Sequence, residues 1–200
     1  MSIPVVDDPI EFFTQWHIEA RACEALREPD AMTLATVDDG GMPWARIILL
    51  KGVDARGFAF YTNYNSRKGG HLFANPVAGL CFYWMPLDRQ VRIQGQVARV
   101  SDAEADAYFA TRSRESRIGA WASYQSRPLE GGRAELENRF VDISLRFEGQ
   151  DVPRPPHWSG FRLSPDYIEF WQSGRHRLHD RRIYTRTAPD GPWDTQLLYP

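Results

Sequence analysis

Between residues 32 and 100 the chain alternates short runs of β-branched and aromatic residues with turn chemistry, a spacing that few folds accommodate. The runs are "MTLATV", "WARIILLKGV", "GFAFYTNY", "VAGLCFYWM" and "RQVRIQGQVARV", and "DDGG" supplies a tight turn after the first. Strands joined at such short intervals pair antiparallel, and this many of them close into a barrel or a sandwich. Proline-rich "DVPRPPHW" then introduces a second β section, "GFRLS", "YIEFWQ", "RRIYTRT" and "WDTQLLYP".

Helices are expected around that sheet. In "DPIEFF", Asp8 caps a helix, Pro9 suits its first turn and Glu11 completes a capping-box pattern. Phe12, Trp16, Ala20 and Cys23 then share one face, which should dock on the sheet. Ser101 and Glu104 form a second capping box before "SDAEADAYFATR", and "RAELENRFVDISLRF" reads as a third helix. The expected class is mainly β with helices (α+β): one domain over residues 1–200, an antiparallel barrel with helices packed around it.

Charge excludes some partners. The formal net charge is -2, unlike a chain built to neutralise a nucleic acid. The longest uncharged apolar stretch, "VAGLCFYWMPL", is too short for a transmembrane helix, and the first residues lack the pattern of a secretory signal. Cys23 and Cys81 form neither a CxxC nor a disulfide framework, which fits a reducing, cytoplasmic setting. The patterns GxGxxG after a strand, GxxxxGK[ST], HExxH and GxSxG are missing, so common nucleotide, zinc-protease and serine-hydrolase chemistries are not indicated.

Four basic or polar clusters stand out instead. In "SGRHRLHDRR" a strand would put Arg177, His179 and Arg181 on one face; a solvated, charged edge strand is the plain alternative, and a zinc site from His176 and His179 is weaker. In "YFATRSRES", Tyr108, Arg112 and Ser116 stand at successive steps of four, and a phenol, a guanidinium and a hydroxyl together suit a phosphate monoester. In "SRKGG", Arg67 and Lys68 open a short helix whose free amides also favour an anion. In "ARIILLK", Arg46 and Lys51 would face opposite sides of a regular strand, so one site using both needs a bulge, a strand end or a neighbouring subunit. Gln90, Arg92 and Gln94 share the wet face of their strand.

The motifs "RIILLKG", "GFAFYTNYNSRKG", "LCFYWMPLDRQVRIQG", "YFATRSRESRIGAWASYQS", "PRPPHWSGFRLSP", "IEFWQ" and "RLHDR" together resemble the pyridoxamine 5'-phosphate oxidase family, in order and over nearly the whole chain. The resemblance implies a homodimer of FMN-binding split β-barrels, antiparallel and Greek-key in connection, with a C-terminal dimerisation and substrate-binding section at about 155–200. It implies oxidation of pyridoxine or pyridoxamine 5'-phosphate by dioxygen to pyridoxal 5'-phosphate, with no nucleic acid or membrane as partner. FMN contacts would come from Arg46, Ile47, Ile48, Leu49, Leu50 and Lys51, from Tyr61, Thr62, Arg67, Lys68 and Gln90, and from the partner subunit's Gln125, Ser126, Trp171 and Arg181. Substrate phosphate would meet Lys51, Tyr108, Arg112 and Ser116, while Arg177 and His179, the catalytic pair, would hold the pyridine ring against the flavin.

This chain departs from the family pattern at Ser113, where proline is usual, and at Trp44 and Ala45, where small polar residues are common. Competing readings are a phenazine-pathway flavin oxidase and a non-catalytic flavin or pyridoxal-phosphate carrier. The trio Tyr108, Arg112 and Ser116 speaks against the first, and retention of Arg177 and His179 against the second.

Overall fold

Asp8 begins the first helix as expected: its Oδ1 accepts from the backbone N–H of Ile10 at 2.7 Å and of Glu11 at 3.3 Å, and Pro9 follows as the first helical residue. The computed structural model describes residues 3–200. Helix α1 (Pro9–Ala22) lays Phe12 and Trp16 on Phe170, at ring-centroid distances of 4.7 and 5.2 Å, while Phe13 meets Phe58 and Phe82 at 4.9 and 5.0 Å. Cys23 is instead the C-cap, where the helical face has ended. Asp8→Ala should destabilise the chain by about 1 kcal/mol, measured as a lower urea midpoint at unchanged slope.

The strands are β1 (Ala31–Val37), β2 (Pro43–Leu49), β3 (Gly52–Asp54), β4 (Gly57–Asn63), β5 (Val77–Trp84), β6 (Arg89–Arg99), β7 (Trp158–Gln172), β8 (Asp180–Thr185) and β9 (Asp194–Leu197). All pair antiparallel in one curled sheet of order β2-β1-β5-β6-β7-β4-β3, with β8 on β7 and β9 on β8. Its inner face, with Phe58, Phe60, Phe82, Phe161 and Phe170 fully buried, forms the core under α1.

Three expectations about the strands change. "GFRLS" and "YIEFWQ" are one strand, β7, because the register shifts at Gln94/Gly95 and lets Pro165, which has no N–H to give, pass within it. A Cβ on Gly95 would stand 2.0 Å from the Ser164 carbonyl oxygen, so the shift requires glycine. Along β7, residues 158–163 pair with β4 and residues 167–172 with β8.

"WARIILLKGV" divides. Leu50 turns into the core at 2 % exposure, and the strand ends at Leu49 before β3 begins at Gly52.

"RLHDR" is not a strand face. Residues Arg175–Arg177 form a single tight turn, His176 and Arg177 have φ of 57° and 65°, and β8 starts only at Asp180. The left-handed backbone at 176 and 177 breaks the alternation that the strand reading assumed.

The remaining helices are α2 (Arg67–Ala74), α3 (Asp102–Ala110), α4 (Arg114–Ala122) and α5 (Gly132–Arg146). Ser101 caps α3 through the Glu104 N–H at 3.1 Å, but the Glu104 side chain reaches Arg162 on β7 rather than closing the box. That ion pair, joined by Arg162 to Asp54 at 3.0 Å, ties α3 to the sheet. "YFATRSRES" likewise spans two helices. Ser113 accepts from the Ser116 N–H at 3.2 Å and so caps α4.

Candidate active site

Helix α2, the end of β2 and the α3–α4 junction converge on a cavity of about 550 Å³. Arg46 and Lys51 both line it, and the strand end at Leu49, with Leu50 turned inward, resolves their odd spacing. Ile47, Ile48, Leu49, Tyr61, Thr62, Lys68, Tyr108, Arg112, Ser116 and Gln125 line it too.

Its electrostatics are one-sided. Arg46, Lys51, Lys68 and Arg112 line the cavity and no carboxylate does. Lys68 Nζ has only neutral oxygens within reach: Thr62 Oγ1 at 3.1 Å, Gln125 Oε1 at 3.1 Å and Ser66 Oγ at 3.4 Å. Burial pulls the pKa of Lys68 below the usual lysine range, and the like charge of Arg46 adds to it. Desolvation lowers Arg46 and Arg112 as well. Such cations are stabilised by an anion that enters with its own charge.

One end of the cavity is an aromatic wall. Tyr61 stacks on Tyr108 at 4.0 Å and 17°, and Trp158 lies parallel to Tyr61 at 5.5 Å and 8°. Gly160 makes room for it, since a Cβ there would stand 2.7 Å from the Tyr61 ring. The Arg112 guanidinium sits 4.7 Å over Trp158, and its Nη1 is buried without a hydrogen-bond partner. Burial raises the Tyr108 phenol, which keeps it a donor. Ser113 Oγ donates to Ser116 Oγ at 3.0 Å and leaves the Ser116 hydroxyl hydrogen free. Tyr108, Arg112 and Ser116 thus meet through a helix–turn–helix, not one helical face.

The other residues singled out in the sequence lie elsewhere. Leu50 is in the core, and Arg67 rests 4.5 Å over the Trp44 ring outside the cavity. Ser126, with φ of 69°, lines a smaller neighbouring cleft. Gln125 lines its own chain's cavity, where its Oε1 accepts from Lys68 and Thr62. Gln90, Trp171 and Arg181 stand side by side across β6, β7 and β8, with the His179 ring 4.8 Å from Trp171. Arg181 is held by Glu169 at 2.8 Å, a carboxylate only 1 % exposed that also takes bonds from Arg92 and from the Tyr167 hydroxyl. Arg177 is exposed, and none of this second group lines the cavity.

Sequence reasoning missed Asn63, Gly119, Ala120, Ser123 and Trp158 as lining residues. All five lie within the motifs that carry the family resemblance, but Gly119 and Ala120 of α4 carry no chemical signal of their own and enter through helix packing alone.

A family model described as pyridoxamine 5'-phosphate oxidase matches residues 18–147. The chain belongs to the pyridoxamine 5'-phosphate oxidase family. A second model, the pyridoxine 5'-phosphate oxidase C-terminal dimerisation region, matches residues 158–200, where the Trp171–Arg181 group lies. Pyridoxine/pyridoxamine 5'-phosphate oxidases of Myxococcus xanthus and Sphingopyxis alaskensis are each 55 % identical, over 99 % and 100 % of this chain and 94 % and 91 % of theirs. PhzG from Burkholderia lata, solved with tetrahydrophenazine-1-carboxylic acid, superposes with a TM-score of 0.90 at 32 % identity over the whole of both chains. An FMN-binding protein from Nostoc punctiforme shares the fold at TM-score 0.78 and 18 % identity, over 98 % of this chain and all of its own. Among the described residues no helix is long and apolar enough to cross a membrane.

Proposed function

We propose that this chain oxidises pyridoxine 5'-phosphate or pyridoxamine 5'-phosphate to pyridoxal 5'-phosphate, with FMN as cofactor and dioxygen as final acceptor. The observation that carries the reading is the cavity with four cations and no carboxylate, which suits the two phosphates of a flavin mononucleotide and a phosphorylated substrate. When bound, FMN would supply hydride acceptance and return the electrons to dioxygen as hydrogen peroxide. Arg46, Lys68, Thr62, Tyr61 and Gln125, with the backbone from Ile47 to Leu49, would hold it, and Arg67 would reach it from the rim.

Lys51, Tyr108, Arg112 and Ser116 would bind the substrate phosphate, four donors that place the ring without taking part in bond breaking. Arg177, His179, Trp171, Arg181 and Gln90 lie outside their own chain's cavity, so they would serve the cavity of a second subunit. The match of residues 158–200 to a dimerisation region supports a homodimer with sites shared in this way. There Arg177 and His179 would press the pyridine ring to the flavin, Arg177 facing developing negative charge and His179 orienting by hydrogen bonding. For the amine substrate, water completes the reaction by releasing ammonia. Free Cys23 and Cys81 support a cytoplasmic setting.

The likeness to PhzG favours a second reading, oxidation of a tricyclic carboxylate. Anaerobic addition of pyridoxine 5'-phosphate to the FMN-loaded protein decides between them. The flavin band should bleach, and return with hydrogen peroxide when air is admitted. A band that persists with this substrate but bleaches with the tetrahydrophenazine acid would replace the first reading by the second, and a band that neither bleaches would leave a carrier.

A further inference from the structure

Behind Arg46 runs a buried polar chain that the proposed reaction does not use. Thr36, on β1, is 2 % exposed, and His71, on α2, is 8 % exposed. Thr36 Oγ1 stands 2.7 Å from Arg46 Nη1 and 3.0 Å from His71 Nδ1, and the Leu34 carbonyl takes a second bond from the same Nη1 at 3.1 Å. A guanidinium nitrogen can only donate, so Thr36 Oγ1 accepts from Arg46 and shares a second hydrogen bond with His71 Nδ1.

Both recorded bonds engage Nη1, and Nε and Nη2 have no protein partner among the described residues. Valine and leucine would fill the places of Thr36 and His71 without the cost of desolvating a hydroxyl and an imidazole, so the polar pair calls for a reason beyond packing. Trp44 completes the arrangement. Its ring lies 5.9 Å from the His71 ring and 4.5 Å under the Arg67 guanidinium, and its indole N–H donates to Asp38 at 3.0 Å. Helix α2, which carries Lys68 and Arg67, is thereby tied to the β1–β2 hairpin that carries Arg46.

We propose that Thr36 and His71 are positioning residues, a buried chain that grips one end of the Arg46 guanidinium and aims its remaining donors into the cavity, so setting the affinity for the phosphorylated flavin. The proposal rests on reading the cavity as a flavin site. Trp44 is the floor on which that chain and Arg67 rest.

The test is a titration of the full-length chain, freed of flavin, with FMN, followed by quenching of flavin fluorescence. Thr36→Val should bind FMN about tenfold more weakly, the scale for loss of a hydrogen bond to a charged group, and Thr36→Ser should stay within about twofold of wild type. In an Arg46→Ala background Thr36→Val should add nothing, because it acts through Arg46. A general packing defect would weaken binding in both backgrounds alike, and that result overturns the proposal, as does wild-type affinity in Thr36→Val. Should that variant fail to fold, His71→Leu, which removes the hydrogen-bond partner at the far end, carries the same comparison: weakened binding that vanishes in the Arg46→Ala background supports the chain, and additive or unchanged binding rejects it. Failure of the wild type itself to bind FMN overturns the flavin reading, and the chain with it.

Discussion

Arg112→Ala should raise KM for pyridoxine 5'-phosphate by about 100-fold, from the roughly 3 kcal/mol scale for truncating one partner of a desolvated charge pair, and leave kcat within about threefold. The guanidinium is packed over Trp158 at 4.7 Å, and its Nη1 is buried without a partner, a donor kept unsatisfied until an anion arrives. An arginine so placed offers its full strength to the phosphate because little water must be displaced from it. The phosphate is remote from the carbon that is oxidised, so its grip is equal in ground and transition states and appears in KM alone. Preference for the phosphorylated over the unphosphorylated vitamin should shrink by the same factor. Steady-state kinetics with both compounds check this, and an unaltered KM would remove Arg112 from the phosphate site. FMN affinity should stay near wild type, since no bond joins Arg112 to the Lys68–Thr62–Gln125 cluster.

The barrel was legible because short strands bounded by turns repeat a local pattern, and α1 because Asp8 and Pro9 mark its start independently of tertiary context. What failed were inferences that extended a local period across a break. Periodicity alternates Arg177 and His179 with Arg181 as on a strand, but successive left-handed residues at 176 and 177 are invisible to it in residues other than glycine. Tyr108, Arg112 and Ser116 kept their common destination although the helix between them ends, because Ser113 restarts it one turn later. The cationic residues announce an anion site by type alone. Thr36, His71 and Trp44 announce nothing, since their role comes from the antiparallel pairing of Thr36 with Trp44 and the packing of α2, which only three-dimensional structure brings together.

Arg177→Ala should lower kcat by about 100-fold or more, the scale for removing one preorganised donor from a reacting centre, while FMN affinity and melting temperature stay near wild type. The turn that carries it is shaped against local preference. His176 and Arg177 both take left-handed backbone, and Gly174 is confined because a Cβ there would stand 1.9 Å from the Leu178 carbonyl oxygen. The His179 Nδ1, accepting from the Gly174 N–H at 3.1 Å, and the packing of His179 on Trp171 hold that shape. The Arg177 side chain itself is exposed and makes no hydrogen bond or ion pair among the described residues, so its loss removes no polar contact there, and alanine meets the same backbone strain as arginine. A fall in turnover would therefore report a role in the reaction rather than in folding. Mixed dimers make that role explicit. If each site joins the cavity of one subunit to the 175–181 segment of the other, a dimer of one Arg112→Ala chain and one Arg177→Ala chain has one site with both arginines and one with neither. At substrate well below the raised KM it should recover about half the wild-type activity, although both parent homodimers are about 100-fold slower there. Sites confined to single subunits would instead leave every site in the mixed dimer damaged, and activity would remain at the parents' level.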